Sequence, residues 1–356
     1  MAVQDYMKKS DEPDMLKRRL GFFAACLDHD HPAKSLANGV WSQVGPRFKS
    51  LPLPEFVDDG AATISQTAAD TAETVDEPFF LFANFMDAHT PLRNLVQHDR
   101  SLHSVPDSWS STELDKWELN KEGKATEEYT QNYRDVYGAS IDYLDRVVDG
   151  LIDDLERATG RETTVVVVSD HGHNLGYDTD DGLFHHTGTM TEGVLHTPCE
   201  IINPPEGYPE AETRYLSHLE LGDLLAALAH DEAPPDDLHR EMVPSETIGL
   251  LGEGDGTWGR EFSDDEYAHW NRMIRVVYDG TTKYQWNSLG ESYEYDLDPD
   301  RPGWQAETAT DVPIPTDATD LFDQDIIAYK DSAAERTKDM AFDDSVTDRL
   351  EQLGYL

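Results

Sequence analysis

Basic residues are scarce in this sequence of 356 residues. It has 28 Lys and Arg against 72 Asp and Glu, and the acidic residues that give its net charge of −44 are spread along the whole chain. Nucleic acids and anionic membranes are polyanions, which such a surface repels. The charge therefore excludes a nucleic-acid-binding role and predicts the salt-adapted surface of a halophilic protein.

Cysteines and long apolar runs are also nearly absent. Cys26 and Cys199 cannot form a disulfide framework, and neither has the spacing of a metal-binding knuckle. No run approaches the roughly 18 apolar residues that cross a membrane. The first residues lack the apolar core of a signal peptide. We expect no membrane association and a cytoplasmic location for the chain as written.

The most informative stretch is a run of four valines, Val165–Val168, that leads into Ser169-Asp170-His171-Gly172. Four β-branched residues in a row predict a strand buried on both faces, which is typical of a parallel sheet. Ligands of open α/β sheets bind beyond the carboxyl ends of the strands. Because a carboxylate and an imidazole can both bind a cation, this position predicts a metal site formed by Asp170 and His171.

A second apolar run, Pro78–Met86, predicts another strand that ends in polar residues. His89 lies just beyond it and is a candidate catalytic residue, with Asp87 as a helper or a cap. His185 and His186 follow Phe184 and are further candidates for the same site. Polar groups after two apolar strands therefore indicate one shared cleft.

Periodicity predicts the helices around these strands. A helix over Glu127–Thr159, ended by Gly160, leads directly into the valine strand. Other helices are predicted around Leu16–Leu27 and over Ala61–Val75. The polar stretch Arg93–Glu122 is interpreted as a surface excursion over the sheet edge.

The last third has a different pattern. A short strand is predicted over Cys199–Ile202. The turn dipeptide Asp279-Gly280 lies between two further strand-like runs, Ile274–Tyr278 and Lys283–Trp286, which predicts a hairpin. Tyr293–Leu297 adds a third antiparallel strand. A short helix is expected near Val346–Leu353.

Together these elements predict an α/β fold with a mostly parallel central sheet flanked by helices and a small C-terminal antiparallel sheet. The expected division is an N-terminal helical and irregular segment with a linker at residues 1–60, an α/β core at 61–260, an antiparallel subdomain at 261–305 and an acidic tail at 306–356.

The order of these motifs resembles the sulfatase family, within the alkaline-phosphatase-like superfamily. The resemblance covers roughly Val75 to Asp300. Its four parts are Pro78–Leu81 with His89-Thr90-Pro91, the helix bearing Tyr137, Asp142 and Asp145, Ser169–Gly172 with Leu175-Gly176, and the end from Val276 through Lys283-Tyr284 to Tyr295–Pro299.

The resemblance implies hydrolysis of a small-molecule sulfate ester around a divalent cation, usually calcium. Asp170 and His171 match two of the cation ligands. His89 matches the histidine that contacts sulfate and helps to protonate the leaving alcohol. His185 stands where the family has a lysine, and His196 stands where many members have an arginine. His173, His186 and Asp87 would support the site.

One family feature is missing from the sequence. The nucleophile is a Cys or Ser in Cys/Ser-x-Pro-x-Arg, oxidised to formylglycine. The chain has no such motif: Ser50-Leu51-Pro52-Leu53 continues to Pro54 rather than to Arg. Formylglycine therefore cannot form in this chain. We expect the chain to lack the family's first strand and to show no turnover of an aryl sulfate with added calcium.

Three hypotheses remain open. The first is a sulfuric ester hydrolase of the sulfatase family, represented here by a shortened chain. The second is a phosphodiesterase or phosphatase of the same superfamily, in which two metals and additional His and Asp ligands act on a phosphate ester. The third is a non-catalytic relative that keeps the fold as a binding protein.

We expect the free energy of unfolding to increase with salt concentration. At molar salt the Debye length is about 3 Å, so the repulsion among the acidic residues is largely screened. Thermal unfolding in dilute buffer and in multimolar potassium chloride measures the effect. An unchanged melting temperature would contradict the salt-adaptation hypothesis.

Overall fold

The computed structural model of the protein describes residues 53–75, 78–250 and 259–339. The helices predicted around Leu16–Leu27 and Val346–Leu353 lie outside these residues, as does Cys26.

The described chain contains helices and strands in the following order. The helices are α1 (Ala61–Ala72), α2 (Lys116–Asn120), α3 (Glu127–Thr159), α4 (Glu192–Leu195), α5 (Leu221–Ala229), α6 (Asp264–Trp270), α7 (Thr316–Thr319) and α8 (Ile326–Asp339). The strands are β1 (Val165–Val168), β2 (Asn174–Leu175), β3 (Phe184–His185), β4 (Cys199–Ile202), β5 (Met242–Thr247), β6 (Ile274–Asp279), β7 (Thr282–Asn287), β8 (Ser292–Leu297) and β9 (Gln305–Thr310). Single turns of 3₁₀ helix lie at Ser111–Glu113, Asp178–Asp180 and His218–Glu220.

Helix α3 confirms the long helix predicted from periodicity. The Thr126 side chain caps its first turn by accepting a hydrogen bond from the backbone N–H of Tyr129. Gly160 ends it in the left-handed conformation, with φ 65°. Glycine adopts this conformation without a steric penalty, so both ends of the helix are encoded locally.

Helix α1 packs against the C-terminal half of α3. Ala68 and Ala72 of α1 form a buried cluster with Leu151 and Leu155 of α3. The small alanine side chains let the two helices approach closely. The segment before His89 packs against this helix pair through Phe79 and Phe85.

The valine strand β1 pairs with β4, and the pairing is antiparallel. Val165 lies opposite Ile202, and Val168 lies opposite Cys199. Every ladder between strands in the described part of the chain is antiparallel, so the prediction of a mostly parallel central sheet is wrong for these residues. A run of β-branched residues predicts a strand, but it does not fix the direction of its partner.

The second predicted strand, Pro78–Met86, forms no ladder with the other described residues. Phe79 and Phe85 pack on the cluster between α1 and α3, whereas Phe80 and Phe82 are 75% and 80% exposed. The strand prediction is therefore wrong here. Apolar composition favours an extended segment, but a strand also requires a partner for its backbone hydrogen bonds.

The C-terminal part confirms the predicted antiparallel sheet, with strand order β5-β6-β7-β8-β9. The Asp279-Gly280 hairpin is present: Asp279 lies opposite Thr282, and Gly280 has φ 57°. The third predicted strand is β8. Because β5 and β9 also belong to this sheet, it extends beyond residues 261–305 on both sides.

The stretch Arg93–Glu122 is not a surface excursion, because two of its tryptophans are buried. Trp109 packs against Tyr129 with ring centroids 5.6 Å apart, and Trp117 packs against Trp270 at 5.3 Å. Their exposed fractions are 5% and 1%. The stretch is rich in polar residues, but its large aromatic side chains anchor it in the core.

In residues 53–75, 78–250 and 259–339, no helix combines the length and the apolarity that crossing a bilayer requires.

We expect Leu155→Ala to lower the free energy of unfolding by about 2–5 kcal/mol, because Leu155 is 4% exposed in the contact between α1 and α3. Leu289→Ala is the matched control, since Leu289 is 48% exposed and should change stability by less than about 0.5 kcal/mol. Urea denaturation of both variants measures the difference. Equal losses would contradict the assigned packing.

Candidate active site

The backbone after β1 lies directly beside the short helix α4. Gly172 N donates a hydrogen bond to the carbonyl oxygen of Val194 at 2.7 Å. A Cβ atom at Gly172 would overlap the carbonyl oxygen of Gly193, so glycine is required for this close approach. The contact fixes Asp170 and His171 at the end of β1.

Five histidines of the described chain come together around this point. The rings of His171 and His186 have centroids 4.3 Å apart, and His89 lies 6.5 Å from His186. His173 is 5.5 Å from His185 and 6.3 Å from His186. The turn after Met86 and the end of β1 therefore converge on one site, as the sequence predicted for their polar residues.

Backbone contacts fix the proton positions of two of these rings. Nδ1 of His89 lies 2.6 Å from the carbonyl oxygen of Thr90, and Nδ1 of His171 lies 2.8 Å from that of Gly172. A carbonyl oxygen can only accept, so Nδ1 carries the proton in each neutral ring. Nε2 of both histidines is left to receive a proton or to bind a ligand.

Helix α3 holds His173 from one side. The His173 ring stacks with Tyr133 and Tyr137 at centroid distances of 5.9 Å and 5.6 Å. The Tyr133 hydroxyl lies 2.7 Å from Nε2 of His173. Burial raises the pKa of Tyr133 well above its ordinary value, so this hydroxyl stays protonated. His173 is thereby packed in place beside His185 and His186.

A cleft of about 1380 Å³ opens next to these residues. Its lining includes Asp170, His171 and His186, together with His196 and Tyr215. The cleft exceeds the roughly 300–1,000 Å³ of most small-molecule pockets. A ligand with a sizeable organic group can therefore reach the histidines.

Comparison with known proteins assigns the family. The family model described as Sulfatase matches residues 37–231, which is more than half of the chain and includes all five clustered histidines. The chain belongs to the sulfatase family. The match also contains the Gly172 contact and the α3 helix, which together hold the site.

Individual curated relatives match smaller parts of this chain. The NAD-dependent malic enzymes of Aeromonas hydrophila subsp. hydrophila and Aeromonas salmonicida (strain A449) are 31% and 30% identical over 140 residues, 39% of this chain. The chain spans only about a quarter (24%) of the length of these curated relatives.

Solved sulfatase structures superpose on a larger part of the chain. A 2-O GAG sulfatase has a TM-score of 0.48 at 18% identity, and a Bacteroides thetaiotaomicron protein described as a candidate sulfatase has 0.43 at 16%. Both alignments cover 80% of this chain and 66% of the other.

Burial keeps the inner histidines of this sulfatase-family site neutral. It lowers the pKa of His185 to about 4, with a further contribution from the positive charge of Lys116. It lowers the pKa of His186 to about 3, assisted by the charges of His171 and His185. His185 is therefore uncharged at neutral pH and does not replace the charge of the family's lysine.

Lys116 supplies positive charge to this region, and no sequence motif predicts it. Lys116 is the first residue of α2 and is 6% exposed. The charge of its ammonium group contributes to lowering the pKa values of both His185 and His186. No motif marks it, because Lys116 is 69 residues before His185 in a stretch interpreted as surface. Two hydrogen bonds between the Asn120 side chain and the Phe184 backbone hold α2 beside the strand that carries His185.

The described residues do not by themselves fit a complete calcium site. Asp170 Oδ1 accepts a hydrogen bond from the His171 N–H at 2.9 Å, and Oδ2 lies 3.9 Å from Nε2 of His171. Calcium takes six to eight ligands, mostly oxygen. In residues 53–75, 78–250 and 259–339, no three His, Cys, Asp or Glu side chains are arranged to hold a metal ion. Calcium binding by Asp170 and His171 thus stays a prediction.

Asp87 contacts the start of α1, and none of its described contacts is with the histidines. Its Oδ1 accepts a hydrogen bond from Asp59 N at 2.9 Å, and within the described chain its buried Oδ2 has no hydrogen-bond partner. Burial raises the pKa of Asp87 to about 6, although the bond from Asp59 N opposes this. The charges of Asp58 and Asp59 raise it further. Asp87 therefore supports the turn that leads to His89.

We expect the free energy of unfolding of Asp87→Asn, relative to that of the wild type, to increase as pH rises from about 4 to about 6. The folded state holds the Asp87 proton up to a pKa of about 6, whereas the unfolded chain releases it near 3.8. Wild-type stability therefore falls across this interval, by about 2 kcal/mol, and the asparagine variant lacks this loss.

Urea denaturation of variant and wild type at several pH values measures this difference. Asp70→Asn, at an exposed position of α1, is the matched control and should change stability by less than about 0.5 kcal/mol. A pH-independent difference for Asp87→Asn would contradict the assignment of a protonated Asp87.

Proposed function

We propose that this protein is a sulfuric ester hydrolase of the sulfatase type and that its histidine site binds the sulfate group of the ester. The observation that carries the proposal is the meeting of His89, His171 and His186, which come from three separate segments. Scattered surface histidines would not be packed together, half-buried, beside a cleft. Their position in the family-matched region supports the same conclusion.

Each group has a chemical task in this proposal. In its doubly protonated form, His89 donates a proton from Nε2 to the leaving alcohol, while Nδ1–H stays bonded to the Thr90 carbonyl. Lys116 provides positive charge next to uncharged His185 and His186, which favours a sulfate anion over a neutral ligand. Asp170 and His171 are the proposed cation ligands, and a divalent cation would there neutralise the sulfate charge.

The 356 residues lack the Cys/Ser-x-Pro-x-Arg motif, so they do not provide the family's formylglycine nucleophile. We therefore propose that these 356 residues bind a sulfate ester without cleaving it, and that hydrolysis requires a nucleophile which they do not supply. The bound ester would occupy the cleft with its sulfate toward His171 and His186 and its organic group toward the rest of the lining.

Binding of 4-nitrophenyl sulfate, measured by calorimetry at high salt with calcium, tests the proposal. We expect binding without release of nitrophenol. His186→Ala should weaken binding about tenfold, the value of one hydrogen bond to a charged group. Asp170→Asn should weaken both ester binding and calcium binding. Asp149→Asn, at an exposed position of α3, is the matched control and should change neither.

Other outcomes identify the competing hypotheses. Hydrolysis that disappears in Asp170→Asn would contradict binding without cleavage and reveal a different nucleophile. Stronger binding of 4-nitrophenyl phosphate would indicate the phosphatase hypothesis. Absence of binding for both esters would contradict the proposed hydrolase function and favour a non-catalytic relative.

A further inference from the structure

A buried charged network lies directly behind the cleft. Glu192 of α4 is 1% exposed, and Lys283 of β7 is 0% exposed. Oε1 of Glu192 accepts hydrogen bonds from Lys283 Nζ at 2.9 Å and from the Tyr278 hydroxyl at 2.7 Å. Lys283 also donates to the Met190 carbonyl at 3.1 Å and to Gln305. The C-terminal sheet thus fixes the Glu192 carboxylate.

The other oxygen of this carboxylate faces a histidine of the cleft. Glu192 Oε2 lies 3.9 Å from Nδ1 of His196, four residues later in the chain. The edge of the His196 ring contacts Tyr215, with centroids 5.8 Å apart. Nδ1 is thus the ring nitrogen that the Glu192 carboxylate approaches, at a distance suited to an ion pair with a protonated ring and too long for a hydrogen bond. Among the described residues, Nε2 of His196 has no hydrogen-bond partner.

His196 lies close to the proposed ester-binding residues. Along the chain, His196 lies between two backbone contacts to the end of β1. Before it, Val194 O accepts the hydrogen bond from Gly172 N, and after it, Cys199 pairs with Val168. These two contacts hold the chain at His196 beside Asp170 and His171. All three side chains line the same cleft.

Stability alone does not account for this arrangement. A buried ion pair costs desolvation on both charges, and apolar residues of similar volume are often as stable. Here Lys283 and Tyr278 satisfy one carboxylate oxygen only, while the second is directed to a side chain that solvent and ligands can reach. Such an arrangement orients an imidazole, as a carboxylate does for histidines at many active sites.

We propose that His196 contacts an oxygen of the bound ester through Nε2 and that Glu192, held by Lys283 and Tyr278, is its positioning residue. This inference rests on the proposed function, because it requires an ester in the cleft. It makes the C-terminal sheet part of the binding machinery rather than a separate subdomain.

The first test compares single variants by the dissociation constant of 4-nitrophenyl sulfate. His196→Ala should weaken binding about tenfold, because a hydrogen bond to a charged group is lost. His196→Gln keeps a donor and should stay within about threefold of the wild type. His230→Ala is the control, since His230 lies at the exposed end of α5 outside the cleft lining, and it should bind as the wild type does.

The second test separates positioning from a structural role. Glu192→Gln combined with Lys283→Met removes both buried charges together, which avoids an unpaired charge in the interior. This double variant should weaken ester binding about threefold to tenfold. Adding His196→Ala to it should cause no further loss, because the network acts only through His196. Circular dichroism confirms that each variant is folded.

The outcomes distinguish this inference from the proposed function. If His196→Ala binds the ester with the dissociation constant of the wild type, the role of His196 is overturned and the hydrolase proposal is left intact. Additive losses in the triple variant would overturn the positioning role of Glu192. If the double variant is unfolded, Tyr278→Phe is measured in its place, with and without His196→Ala, and the same non-additivity is required. Absence of binding in the wild type would overturn both proposals.

Discussion

The hydrogen bond from Gly172 to Val194 is the contact on which the rest of the site depends. It joins the end of the valine strand to the segment that carries Glu192 and His196. Any larger residue at position 172 would overlap the backbone of Gly193 and separate these segments. Because the β1–β4 ladder continues from the same junction, a displacement here would move Asp170, His171 and His196 together. The candidate site is thus built on one backbone contact between Gly172 and Val194, which are separated in sequence by the segment that carries His185 and His186.

Burial sets the electrostatics of the site more than the net charge of the protein does. The acidic residues are distributed over the whole chain, yet His185 and His186 have pKa values of about 4 and 3 because they are removed from water and lie near other positive groups. Lys116 adds positive charge at the same place. A strongly acidic protein can therefore present a local environment suited to an anion. The surrounding acids are screened at high salt, whereas buried groups a few ångströms apart are not.

Several elements followed directly from the sequence. The α3 helix and its glycine stop, the β6–β7 hairpin and the strand β8 all depend on neighbouring residues, namely a threefold and fourfold apolar spacing, a left-handed glycine and a turn dipeptide. The convergence of His89 with His171 and His186 was also expected, since polar residues followed two apolar runs. The family resemblance rested on the order of these motifs, and the match to residues 37–231 confirms it.

The sequence alone determined which segments are apolar, where helices and turns stop, and which polar residues follow the apolar runs, because these properties are set within a few residues. Tertiary structure decided the rest. The partner of Val165–Val168 came from a segment after the histidines and runs antiparallel, while Pro78–Met86 has no ladder in the described chain. The Asn120 side chain bonds to the Phe184 backbone and so holds the helix of Lys116 beside the histidines, and Lys283 reaches Glu192 across 91 residues of sequence. Strand pairing and burial of a charge depend on groups that are distant in sequence, so no local pattern contains them.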